Sequence, residues 1–288
     1  MDGHYKKIRS ILAWVLVLNW AVAFAKIIYG FWTRSSSLTA DGFHSLADGL
    51  SNVIGLIGIT LASQPKDADH PYGHKKYETL FSLGIGAFLF FLSFSLIKEG
   101  IGRFISPVIP TVDAGSFIVL LTTLLVNFIV MSYEYKQGKL LKSDILISDS
   151  MHTRADILTS ISVICALIAV KLGYPVIDPI VTLLIAVFIA RTGFEIVREA
   201  SRVLTDTIVI TNTKRIEKIV LSVNGVKTCH KIRTRGRGDD IHIDLHVQVS
   251  PQMHVDNAHK ISCEIEDAIK KSISGVTDII IHIEPIEQ

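Results

Sequence analysis

Charged residues are scarce in this sequence: they make up 19% of 288 residues, where a soluble domain carries about a quarter. The shortfall is uneven, because residues 8–200 are strongly apolar whereas 205–288 read as an ordinary soluble domain. Neither sign of charge dominates: the formal net charge of +2 points neither to a nucleic-acid partner nor to an acidic tail. Cysteine is sparse too. Cys165, Cys229 and Cys263 lack CxxC spacing and cannot all pair with one another, so free thiols in a reducing compartment are expected. No GxxxxGK loop ending in Ser or Thr is present, which argues against ATP as an energy source, and no HExxH sequence supports a zinc hydrolase. The opening MDGHYKKIRS runs straight into apolar residues without a small-residue cleavage site, so a removable signal peptide is not expected.

What is abundant is apolar sequence in long runs. A helix needs about 20 apolar residues to cross a hydrocarbon core. Six segments qualify, near 9–31, 36–62, 79–103, 114–136, 144–172 and 175–198, with the second and fifth weakened by His and Asp. Basic residues set the orientation. Lys6, Lys7 and Arg9 precede the first span, Lys66, Lys75 and Lys76 join the second to the third, and Lys136, Lys139 and Lys142 join the fourth to the fifth. Arg198 and Arg202 follow the sixth, whereas the opposite side has only Arg34, Lys98, Arg103 and Lys171. Both termini are therefore expected in the cytoplasm.

The remaining chain reads as helix 211–223, strand 226–235, strand 240–250, helix 255–272 and strand 276–284. DDIHIDLHVQV and GVTDIIIHIEP alternate or run in β-branched residues, as half-buried strands do. The expected architecture is an all-α, six-helix membrane domain over 1–205, followed by a small α+β domain of order αββαβ over 206–288.

The two weak spans carry the chemistry. The second holds Asp41, His44 and Asp48, and the fifth holds Asp149, His152 and Asp156 at the same spacing. At about 100° per residue, each set falls within an arc of about 60° on one helix face. A carboxylate at mid-membrane costs about 2.5–3.5 kcal/mol on the insertion scale. Two helices that accept this cost with a matched pattern need a compensating partner, and a divalent cation held between them supplies it. Two imidazoles and two carboxylates suit a tetrahedral shell of borderline softness, favouring zinc over magnesium or calcium, with iron, cobalt, nickel, cadmium and manganese left open. His44, Asp48, His152 and Asp156 are the expected ligands, with Asp41 and Asp149 a turn away as groups that orient them or receive the incoming ion. A lone intramembrane histidine is more often a helix-contact residue; the matched repeat is what argues otherwise.

With these residues in view, the chain resembles the cation diffusion facilitator family of proton-coupled metal exporters, through SLTADGFHSLADGLSNV and DSMHTRADILTSISV and over essentially its whole length. The resemblance implies zinc transport by proton exchange, a homodimer in a lipid bilayer, use of zinc as a structural or regulatory ligand, and a prokaryotic inner membrane. Histidine at the first span-two position accompanies a zinc preference in that family; Asp there would leave zinc or iron, and Asn would suggest manganese. The cytoplasmic domain would be ferredoxin- or metallochaperone-like. By the same resemblance, QPKDADHPYGHKKYE supplies a loop site of Asp67, His70 and His74, with Asp69 as a substitute, although a plain polar turn at Pro71 and Gly73 is the bland reading. His230, His246, His282 and Glu284 match a binuclear cytoplasmic site, with His259 at its bridging position and Cys229 as an optional soft ligand. His242 and His254 read as exposed histidines or optional ligands. Lys76 and Asp206 match a charge contact that helps to hold the dimer.

Two other classes compete. An intramembrane zinc hydrolase would keep a coordination position open for water, which four convergent ligands do not. A membrane metal sensor that does not transport would use the C-terminal histidines and leave the span site idle, which the matched motif disfavours.

Overall fold

A computed structural model describes residues 3–32, 45–46, 49–105, 114–171, 174 and 177–286. The chain divides into two compact units, Met1–Ser201 and Arg202–Gln288. The described residues of the first unit form six helices: α1 (Gly3–Trp32), α2 (Leu50–Ala62), α3 (Lys76–Ile105), α4 (Ala114–Leu141), α5 (Asp144–Lys171) and α6 (Ile177–Leu204). At 1.5 Å per residue, a helix of 28 residues is about 42 Å long, which exceeds a hydrocarbon core of about 30 Å.

Among the described residues, four stretches, Gly3–Tyr29, Lys76–Gly102, Phe117–Leu141 and Pro179–Leu204, are long and apolar enough to cross a membrane. They leave large apolar side chains facing outward, among them Trp14, Phe91, Leu125 and Leu184, as helices in a membrane domain do. α5 matches the others in length but carries Asp149, His152, Arg154 and Asp156, which interrupt its apolar run. It takes the inner position instead. Ile145 and Leu146 at its start join Ile8, Leu12, Ile59 and Val130 in one buried cluster. A turn beyond His152, Ala155 packs with Leu89, Ile189 and Ile196 in another.

The turn from α4 to α5 is tight. Lys142 adopts a φ of 50°, and the Ser143 amide donates to the Gly138 carbonyl at 2.9 Å. A Cβ on Gly138 would stand 2.9 Å from Ile147 Cγ1 and 3.0 Å from its backbone nitrogen, so glycine is required there. Glu78 of α3, fully buried, accepts from the Ser143 hydroxyl at 2.5 Å and the Ile145 amide at 3.5 Å. A carboxylate thereby caps the positive end of α5.

The second unit contains α7 (Thr213–Leu221), β1 (Thr228–Arg237), β2 (Asp240–Val249), α8 (Val255–Ser272) and β3 (Val276–Pro285). The sheet order is β1-β2-β3, with β1 antiparallel and β3 parallel to β2. A parallel neighbour requires a crossover, and α8 provides it. Alternation along β2 turns Ile241, Ile243, Leu245, Val247 and Val249 towards Ile216 and Val220 of α7 and Ile261, Ile265 and Ile269 of α8. Asp240, His242, Asp244, His246 and Gln248 therefore share the other, open face. A bulge between His230 and Arg233, with Lys231 at φ 50°, inserts one residue in β1. It returns Ile232 to the core while keeping His230 and Arg233 on the open face. His254 caps α8 by accepting from the Asp256 amide at 3.3 Å, which gives this exposed histidine a local structural task.

Candidate metal centres

α5 presents Asp149, His152 and Asp156 towards the interior of the membrane unit. Asp149 is fully buried and His152 is 2% exposed. The His152 Nε2 atom lies 3.8 Å from Asp156 Oδ2, and neither ring nitrogen has a hydrogen-bond partner among the described residues. The Phe88 ring meets the imidazole edge-on, with centroids 5.3 Å apart. A buried imidazole normally finds a partner for each nitrogen. An imidazole without such a partner among the described residues, beside a carboxylate, suits a metal ion. Asp41, His44 and Asp48 lie outside the described residues.

Behind these groups runs a polar chain that the sequence reading missed. Asn19 of α1 donates to the Asn52 Oδ1 atom of α2 at 2.9 Å, and the Asn52 amide donates to Asp149 Oδ2. Asn52 follows Asp48 by four residues, one helical turn in sequence. Glu134 of α4, fully buried, faces Asp149. Lys26 of α1 is also buried, and its Nζ donates to the Ser45 hydroxyl at 2.9 Å. Ionisable residues inside apolar spans are rare enough that Lys26 and Glu134 could have been singled out from the sequence on that ground alone.

The turn between α2 and α3 gathers Asp67, His70 and His74, whose ligand atoms all lie within 4.8 Å of one another. His70 Nδ1 is 3.2 Å from Asp67 Oδ1 and His74 Nε2 is 3.3 Å from Asp67 Oδ2. Gly73, at φ 94°, turns the chain between the histidines, and its amide donates to the His70 carbonyl at 2.9 Å. Tyr77 backs the pair, stacking on His74 with centroids 5.8 Å apart. The His70 backbone amide, donating at 2.6 Å, is the main cause holding the Asp67 carboxyl below its ordinary value. His74 is 4% exposed, and its Nδ1 has no hydrogen-bond partner among the described residues. Asp69 is exposed and the cluster forms without it.

On the open face of the sheet, β1, β2 and β3 bring His230, His246 and Glu284 together, again with ligand atoms within 4.8 Å. His246 Nδ1 is 2.6 Å from Glu284 Oε1, and His230 Nε2 is 3.3 Å from Glu284 Oε2. The contact with His246 is the main reason the Glu284 carboxyl is held below its usual range. His282 stands at the rim, its Nε2 3.6 Å from Glu284 Oε1 and its ring centroid 4.7 Å from that of His246. His259 is not in this group within one chain. It lies on α8, its Nε2 3.8 Å from the exposed Cys263 thiol.

Two expectations change in detail. Cys229 cannot join His230, because strand alternation turns it into the core; burial pushes its thiol up to about 11, with the Glu217 charge adding to the effect. His242 is not simply exposed, since it sits between Asp240 at 3.5 Å and Asp278 at 3.6 Å. Asp206 also lies 3.8 Å from Arg235 of its own unit. Thiol labelling of the full-length protein at pH 7, read by peptide mass, should therefore modify Cys263 at least tenfold faster than Cys229. Equal rates would place Cys229 on the surface.

Residues 12–205 match the family model for the cation efflux transmembrane domain, and residues 211–286 match that for the cation efflux protein cytoplasmic domain. The chain belongs to the cation efflux family. This efflux protein is 33% identical over 279 residues to an uncharacterized transporter of Methanocaldococcus jannaschii, covering 94% of this chain and 96% of that one. It is 28% identical over 270 residues to the manganese efflux system protein MneS of Bacillus subtilis, covering 91% and 90%. It is 26% identical over 289 residues to the cation-efflux pump FieF of Pectobacterium atrosepticum, covering 99% and 96%. The family is one of membrane transporters for metal cations, so transport and not catalysis is the activity of this efflux protein.

Proposed function

We propose that this efflux protein exports a divalent metal ion, with zinc as the first substrate, in exchange for protons. His44, Asp48, His152 and Asp156 bind the ion, and Asp149 orients the pair on α5. The observation that carries this reading is His152: a buried imidazole, without a hydrogen-bond partner at either nitrogen among the described residues, beside the Asp156 carboxylate.

A histidine ligand binds metal only when deprotonated, so protons and metal compete for it. Free histidine titrates near pH ~6.5, so modest pH differences across a membrane reset that competition. The site faces the cytoplasm, loses protons and takes the ion. The helices then rock so that the site opens outward, where protons displace the metal. Both termini and the C-terminal unit are cytoplasmic in this scheme, the membrane is a prokaryotic inner membrane, and the working form is a homodimer. Lys76 and Asp206 contribute a charge contact to that dimer.

Asp67, His70 and His74 form an accessory metal site at the cytoplasmic loop. His230, His246, His282 and Glu284 form a regulatory site, which His259 helps to complete. Metal held there draws two protomers together and favours the active arrangement.

A second reading, export of manganese or another of iron, cobalt, nickel and cadmium, is favoured by the names of two Bacillus subtilis relatives, the manganese efflux proteins MneS and MneP. Borderline imidazole ligands favour zinc over manganese on intrinsic affinity. Competition in vesicles decides between them: zinc at equal concentration should suppress manganese uptake by at least about tenfold. Uptake of manganese that is indifferent to zinc would make manganese the substrate.

A further inference from the structure

From Ser10 to Trp32, the first helix contains a single charged residue, Lys26. A lysine near the end of a membrane helix ordinarily extends its flexible stem so that the ammonium reaches the polar interface. Lys26 does the opposite. It is 7% exposed, and its Nζ turns inward to donate to the Ser45 hydroxyl at 2.9 Å. Ser45 follows the proposed ligand His44 directly in sequence. Asp156 on α5 lies within electrostatic reach of the same ammonium. A positive charge is therefore held at Ser45, the sequence neighbour of one proposed ligand, and within electrostatic reach of another, Asp156.

For a site meant to bind cations, a neighbouring ammonium weakens binding. That makes chemical sense in a carrier, which must also pass through a state without metal. Carboxylates without a counter-charge would hold that state where water can reach them, because a bare charge is excluded from a low-dielectric interior.

We propose that Lys26 is the tethered counter-cation of the transport site: its ammonium balances the site carboxylates when no metal is bound and is opposed by the arriving divalent ion. Two consequences follow. A metal ion with two charges displaces the influence of one tethered charge, whereas a monovalent ion gains no advantage over it. The unloaded site is neutralised from within, so the carrier returns readily for another ion. The inference rests on the reading of His44, Asp48, His152 and Asp156 as the transport site and assigns Lys26 a positioning role in it, not ligation.

The test uses the full-length protein, with zinc binding measured by competition against a chromophoric chelator and turnover measured in proteoliposomes. The relevant affinity is that of the component lost in Asp156→Ala, which separates this site from the loop and sheet-face clusters. Lys26→Met should tighten that component by at least about tenfold, because it removes a like charge within electrostatic reach of the bound ion. It should also slow turnover by about tenfold or more. Lys26→Arg, which keeps the charge, should stay within about threefold of the parent in both. Lys26→Gln keeps a donor for Ser45 without the charge, and it carries the test if the methionine variant does not fold. It should follow Lys26→Met. A glutamine variant that behaves like the parent makes the hydrogen bond, not the charge, the operative feature and overturns the proposal, as does unchanged or weakened zinc affinity in Lys26→Met. If Asp156→Ala removes no zinc-binding component at all, the transport-site reading fails instead.

Discussion

Asp156→Ala is expected to reduce metal uptake by at least about 100-fold while leaving the protein folded. Loss of a group that merely supports a ligand lowers metal affinity by about 10–100-fold, so loss of a ligand should reach or exceed the upper end. The fold has little to lose at this position. Asp156 is partly exposed, and the Thr159 and Ser160 hydroxyls that bond to it use its backbone carbonyl at 2.8 and 2.9 Å, which alanine retains. The side chain meets His152 at 3.8 Å, and that contact is what the substitution removes. Uptake in vesicles, with size-exclusion behaviour of the purified variant as the control, checks the result. Transport at the parent rate would remove Asp156 from the site.

The second large effect concerns the sheet face. His246→Ala combined with Glu284→Gln dismantles the 2.6 Å contact at the centre of the cluster and leaves only His230 and His282 there. The metal concentration that gives half-maximal transport should rise by about tenfold or more, since two of four ligating groups are gone. The maximal rate should change little, because His152 and Asp156 belong to the other compact unit. Transport titrated against metal concentration reads both quantities. An unchanged midpoint would leave the cluster without a regulatory role.

Particular residues show how far the sequence reaches. The alternation IHIDLHVQV fixes which face of β2 is buried, because side chains on a strand have a period of two, and the structure follows it residue by residue. The long apolar runs announce α1, α3, α4 and α6 for the same kind of reason: length and apolarity are local properties. The matched Asp-x-x-His-x-x-x-Asp sets are legible because helical spacing puts them on one face.

What escapes is whatever depends on a neighbouring element. Nothing in the local pattern says that Asn19 and Asn52 hand a hydrogen bond on to Asp149, since the three lie on different helices. Nor does the spacing around Cys229 reveal its core position beside an open-face histidine until strand pairing is known. The bulge at Lys231 is invisible for a similar reason: an unbroken alternation through β1 would have put Ile232 on the wrong face. Lys26 was visible as an oddity in an apolar run, but its meaning required the contact with Ser45.

One buried His–Asp site is proposed to exchange a divalent metal for protons. Zinc uptake into inverted vesicles containing this efflux protein, measured with and without an imposed pH gradient, tests it most directly. Uptake should be driven by an acidic lumen, fall by about tenfold or more when an ionophore collapses the gradient, and be accompanied by alkalinisation of the lumen that His152→Ala abolishes. Zinc uptake of equal rate with the gradient collapsed, or with no proton movement, would contradict the exchange.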